Sequence, residues 1–162
     1  MPKAFYFLAE FDGETQRRMA GYYNALREHG LTGQQTKGIP YHFTLGDLQG
    51  NEAALIARLE EICAETPVIS FRIDHVGLFG LRVLFLEPCV TTELLGLQGA
   101  FFDEKMPWTP HATVLLDENP EAILRAIPLL AEQFEPFEAR VESVALYEFF
   151  PARRIRRCQL QR

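Results

Sequence analysis

The sequence predicts a duplicated fold mixing strands with helices, in which the order strand, helix, His-x-Thr strand, helix, strand occurs twice. Three observations predict it. Apolar positions switch repeatedly between alternation, the strand period, and three-to-four spacing, the helix period. Landmarks in the two halves keep nearly one offset: 69 residues from His42 to His111, 68 from Asn51 to Asn119 and 70 from Val68 to Glu138. The 162 residues are 48% hydrophobic, including thirteen Phe, which suffices for one packed interior. Identity between the halves is low, so the expectation is duplicated architecture and not a repeat array. Chance alternation of strands and helices is the competing explanation.

Each element has a local cause. Residues Ala4 to Phe11 read as a strand. Asp12 can cap a helix running to about Arg27, with Met19, Tyr22, Tyr23 and Leu26 on one face and Gly30 as its stop. A polar, Gly-rich loop from Thr32 to Gly38 leads to a strand from Tyr41 to Asp47. Asn51 caps a helix carrying Leu55, Leu59, Ile62 and Cys63 at helical spacing, and Pro67 ends it. Ile69, Phe71 and Ile73 then alternate along a strand from Val68 to Phe79. In the second half, Leu81 to Leu86 reads as a strand, Thr91 to Phe101 as a short helix and His111 to Leu116 as a strand. Asn119 and Pro120 open a helix in the order capping favours. Pro128 is expected to kink that helix or end it early. Strands from Glu138 to Phe149 and from Arg154 to Gln161 close the chain.

Composition narrows the function. No apolar run approaches the roughly 20 residues a membrane helix needs. The start, Met1-Pro2-Lys3 followed by strand-like alternation, lacks the pattern of a signal peptide. Three widely spaced cysteines, Cys63, Cys89 and Cys158, suit reduced thiols better than a disulfide framework. A cytoplasmic protein is the expectation. A net charge of −6 disfavours binding to long nucleic acid, which calls for a broad basic face. An RNA ligand would therefore be a terminus or a small fragment.

Chemistry concentrates in His42-Phe43-Thr44 and His111-Ala112-Thr113. Residues i and i+2 of a strand share a face, so each motif presents an imidazole beside a hydroxyl and buries the residue between them. Related by a pseudo-twofold axis, the two pairs would face each other across a cleft. Such a site suits phosphodiester chemistry. Near neutrality one neutral histidine can take a proton while the other, protonated, gives one. The threonine hydroxyls can hold phosphate oxygens. A metal site would need a third ligand, and no carboxylate or cysteine has suitable spacing.

These motifs, His42-Phe43-Thr44-Leu45 and Pro110-His111-Ala112-Thr113-Val114, resemble the paired motifs of the two-histidine phosphoesterase superfamily. The similarity is greatest to its 2′-5′ RNA ligase and cyclic phosphodiesterase branch, and it spans essentially the whole chain. It implies a bilobal α+β fold, with antiparallel sheets around a central cleft and helices on the outer faces. It also implies one domain over residues 1–162, with lobes near 1–80 and 81–162. His42 and His111 would carry acid–base catalysis, and Thr44 and Thr113 would hold the phosphate. The implied reactions need neither metal nor cofactor. They are hydrolysis of 2′,3′-cyclic phosphates on nucleotides or RNA ends, and reversible 2′-5′ end joining. A nucleotide- or RNA-end-binding module without turnover, and a plain structural domain, are the alternatives.

Four further features carry two readings each. Lys105 and Trp108 sit in the segment before His111, where a loop can close on phosphate and base, or Trp108 can simply pack in the core. Arg153 opens a basic run, Arg153 to Arg157, that reads as a charged edge strand or as a source of phosphate contacts. His29 precedes Gly30 at a helix end and reads as a cap or a solvent-facing residue. His75 continues the inward alternation and reads as a satisfied buried histidine or a cleft residue.

Overall fold

The computed structural model describes residues 4–102 and 107–162. Its elements follow the expected order: β1 (Ala4–Phe11), α1 (Gly13–Glu28), β2 (His42–Leu48), α2 (Glu52–Glu65), β3 (Ile69–Phe79), β4 (Val83–Pro88), α3 (Thr92–Phe101), β5 (Ala112–Leu116), α4 (Pro120–Gln133), β6 (Phe137–Phe149) and β7 (Arg153–Gln159).

Side-chain caps set where the helices begin. Asp12 accepts from the Thr15 amide at 3.4 Å, Asn51 from Ala54 at 2.9 Å, Thr91 from Leu94 at 3.1 Å and Asn119 from Glu121 at 3.1 Å. At the far end of α1 the His29 ring Nδ1 lies 3.0 Å from the Ala25 carbonyl, so this histidine caps the helix. Pro128 does not end α4, contrary to expectation. Both Pro128 and Leu124, whose carbonyl Pro128 cannot serve, lie on the exposed face, which is open to solvent. The buried stripe Ile123, Ala126 and Leu130 continues past the break.

All named strand pairs are antiparallel, in the order β2-β1-β6-β3-β4-β5 with β7 also on β6. The two expected sheets are thus arms of one hydrogen-bonded sheet. One arm reads β2-β1-β6 and the other β5-β4-β3, so each arm takes its third strand from the opposite half of the chain. Strand β6 joins them. One edge pairs with β1, while the other is shared end to end by β3 and β7. The sheet curls until its terminal strands, β2 and β5, touch. Helices α1 and α4 pack together, α1 reaching β5 and α4 reaching β4, while α2 covers β6 and β7 and α3 lies by β2.

The alternation of β3 is broken between Ile73 and His75, where the register to β4 shifts. That bulge turns His75 outward. Its ring is half exposed and pairs with Asp74 and, at 3.4 Å, with Glu87, so it is not the buried histidine the pattern suggested.

Between sheet and helices lies one large core. Phe43, the residue between His42 and Thr44, is completely buried there against Phe11, Phe71 and Trp108. Substituting Phe43→Ala is expected to lower unfolding free energy by roughly 3–5 kcal/mol, read from the midpoint of a denaturant titration.

Candidate active site

Strand geometry places both motifs on the concave face. In β2, Phe43 and Leu45 are buried in the core while His42 and Thr44 alternate to the other side, partly exposed. Ala112 and Val114 are likewise buried in β5, with His111 and Thr113 opposite them. His111 stands one residue before the strand begins.

The two rings are anchored alike. His42 Nδ1 lies 2.7 Å from the Pro40 carbonyl, and His111 Nδ1 lies 2.8 Å from the Thr109 carbonyl, each two residues back in the chain. A carbonyl only accepts, so Nδ1 must carry the proton in both rings. Each Nε2 is thereby left as the nitrogen free to take or give a proton. The His111 ring is walled by Phe79 and Phe85, with centroids 4.7 and 5.2 Å away. Burial holds the His42 pKa below its ordinary 6.5, opposed by the Pro40 hydrogen bond and the charge of Glu10, and the nearby charge of His111 lowers it further.

Polar clamps fix the two strands in place. Gln16 on α1 grips the backbone of Tyr41 twice, donating to its carbonyl at 2.8 Å and accepting from its amide at 2.7 Å. The loop before β2 reaches across to β5. Gln34 donates its backbone amide to the Leu116 carbonyl at 2.6 Å, and the Gln35 side chain accepts from the Leu116 amide at 3.1 Å. Gly33 turns this loop at φ +69, and a Cβ there would meet the Leu116 carbonyl at 2.9 Å. Between loop and strands lies a cavity of about 370 Å³ lined by His42, Thr113, Tyr23, Gln35, Lys37 and Phe149. Lys37 donates to the Tyr23 hydroxyl at 2.6 Å and the Thr32 carbonyl at 2.8 Å.

The secondary candidates fare differently. Trp108 braces β2 from the core side, donating Nε1–H to the Thr44 carbonyl at 3.0 Å. Lys105 lies outside the described residues. Arg153 is not brought to the histidines. It pairs with Glu148 at 2.8 Å and with Glu52 of α2 at 3.6 Å, on the helix-covered side of the sheet. Arg157 faces the cleft instead, gripping both oxygens of Glu10, with Nη2 2.8 Å from Oε2. Glu10 is 2% exposed and stands opposite His42 in the β1–β2 register. Neither Glu10 nor Gln35 was singled out by the sequence, because nothing local marks a residue whose partner is 147 or 81 positions away. Among the described residues no three His, Cys, Asp or Glu side chains gather as a metal-holding group. No helix of the described residues is long and apolar enough to cross a membrane.

Comparison with known proteins identifies the family and the fold. Residues 17–149 match the family model described as the 2′-5′ RNA ligase superfamily. Among solved structures, Escherichia coli LigT in complex with ATP superposes with a TM-score of 0.68 at 19% identity, covering 99% of each chain. LigT with 3′-AMP gives 0.66 at 18% identity, covering 100% of each. TT0787 of Thermus thermophilus gives 0.66 at 16% identity over 98% of each chain. No curated protein matches the chain significantly.

The electrostatics of His42 can be measured directly. Its imidazole resonances should titrate with a midpoint below 6.5, and the variant His111→Ala should raise that midpoint by removing a repelling charge. Stability responds in the same pH range. As pH falls below about 6.5 the unfolded chain takes up the proton that folded His42 refuses, so this group's contribution to stability is lost toward acid.

Proposed function

Because the chain belongs to the 2′-5′ RNA ligase superfamily of two-histidine phosphoesterases, we propose that it is a metal-independent phosphodiesterase acting on 2′,3′-cyclic phosphates of nucleotides or RNA ends. The observation that carries this reading is the matched anchoring of His42 and His111, which leaves two Nε2 atoms free on one concave face. Each has a threonine hydroxyl on the same face.

In the reaction, the cyclic phosphate sits between the imidazoles, with Thr44 and Thr113 donating to its non-bridging oxygens. One neutral Nε2 takes a proton from water as the water oxygen bonds to phosphorus. The other, protonated, gives its proton to the departing ribose oxygen as the P–O bond breaks. Ring opening yields a phosphate monoester, and proton exchange with solvent resets the pair. Clamping Tyr41 to α1, and β5 to the loop that precedes β2, lets the protein hold this geometry without rearrangement.

The cavity beside His42 and Thr113 falls in the size range of small-molecule sites, and Tyr23 and Phe149 give it aromatic walls. LigT is described in complexes with ATP, NADP+, 3′-AMP and phosphate, which is consistent with a nucleotide ligand here. The net charge of −6 favours a terminus or fragment over a long duplex. A second reading, reversible 2′-5′ joining of RNA ends, is favoured by the family match itself. It uses the same site with a ribose hydroxyl in place of water.

Incubation with 2′,3′-cyclic nucleotides and cyclic-phosphate RNA tests the proposal. Turnover should survive a chelator and fall by about 10²–10⁴-fold in His42→Ala and in His111→Ala. Thr44→Ala and Thr113→Ala should each lose on the order of 10²-fold. Full activity in either histidine variant would sink the two-histidine mechanism. Tight binding by the native chain without turnover would leave a binding module.

A further inference from the structure

The ion pair between Glu10 and Arg157 calls for a role beyond stability. Glu10 is 2% exposed, and a carboxylate loses much of its solvation at such a site. A buried pair regains little of that as net stability, and apolar replacements of similar volume often hold a fold as well. The sheet is nonetheless shaped around this one. Arg157 stands opposite Ala145, which is fully buried and small, and Ala145 in turn stands opposite Leu8 on β1. The guanidinium passes over these residues to reach Glu10, and Ser143 Oγ donates to the same carboxylate at 3.1 Å. Both Glu10 oxygens are thus held, and the carboxylate has one orientation.

That orientation is one strand away from the catalytic motif. Glu10 pairs with His42, and Leu8 pairs with Thr44, across the β1–β2 ladder. We propose that Glu10 and Arg157 are positioning residues for the histidine site: the Glu10 carboxylate supports the protonated form of His42, and Arg157 cancels the charge that would otherwise repel a bound phosphate. This rests on His42 acting as an acid–base group.

The surrounding charges explain why such support is needed. Among the described residues, His42 faces Glu10 from β1 and His111 from the start of β5, and it shares its cavity with Lys37 from the loop. Arg157 on β7 and Tyr147 on β6 stand behind Glu10. Burial and His111 oppose a proton on His42, whereas the Pro40 carbonyl and Glu10 favour one. Without the carboxylate the balance at His42 would tip further from the proton. With an uncovered carboxylate, an anionic substrate would meet repulsion at the floor of its own site. Covering Glu10 with Arg157 removes much of the second effect at some cost to the first.

The test uses Glu10→Gln, Arg157→Lys, Arg157→Met and the double variant Glu10→Gln/Arg157→Met, each checked for native dispersion by NMR. The double variant buries no unpaired charge and so guards against loss of fold. In Glu10→Gln the His42 imidazole midpoint should fall by about one pH unit, the low end for removing a nearby opposite charge, and in the double variant, which also loses the opposing Arg157 cation, it should fall by less. The corresponding limb of the pH–rate profile should move with it. Binding of 3′-AMP should weaken at least about fivefold in Arg157→Met and stay near wild type in Arg157→Lys, which keeps the cation. An unmoved His42 midpoint in both Glu10 variants would overturn the support role. Unchanged 3′-AMP affinity in Arg157→Met would overturn the screening role. The titration needs no substrate, so absence of cyclic-nucleotide turnover would count against the phosphodiesterase reading and leave this one standing on its own result.

Discussion

The site depends on one steric constraint: the residue between each histidine and its threonine is locked in the core. Phe43 and Ala112 are both fully buried. Strand pleating then leaves His42 with Thr44, and His111 with Thr113, no direction but the concave face. A slip of one residue in either strand would send an imidazole into the core and a phenyl ring or methyl group into the cleft. Core packing and site geometry are therefore the same interaction seen from two sides of the sheet.

The second requirement is that two strands at opposite ends of a sheet path meet. Curvature brings β2 and β5 together, and the Gln34–Gln35 loop bonds to the free edge of β5 to hold them there. Exchange of the third strand between arms, with β6 and β3 paired, ties the arms into one ladder. The histidines are then anchored by their own backbone, each to a carbonyl two residues earlier. Rigid anchoring from short local contacts suits acid–base groups, whose efficiency depends on position before it depends on pKa.

Much of this was legible in the sequence because its causes are local. Asp12, Asn51, Thr91 and Asn119 mark helix starts through bonds spanning two or three residues, and the observed starts follow them. The His-x-Thr spacing states its own face through strand alternation. What escaped notice depends on contacts distant in the chain. A one-residue bulge reversed the side of His75, and alternation alone cannot reveal an insertion whose partner is on another strand. Within the basic run, pairing with β6 decides which arginine faces the cleft: Arg153 turns to Glu148 and Glu52, Arg157 to Glu10. Pro128 misled for a different reason, since its effect depends on whether the carbonyl it orphans is buried or wet.

The central claim is that one phosphorus atom fits between two imidazoles. A crystal structure of the protein with a 2′,3′-cyclic nucleotide analogue carrying a five-coordinate vanadate measures this most directly. Apical oxygens are expected within about 2.6–3.2 Å of His42 Nε2 on one side and His111 Nε2 on the other, with equatorial oxygens on the two threonine hydroxyls. A vanadate bound in the cleft but touching only one histidine, or seated away from both threonines, would contradict it.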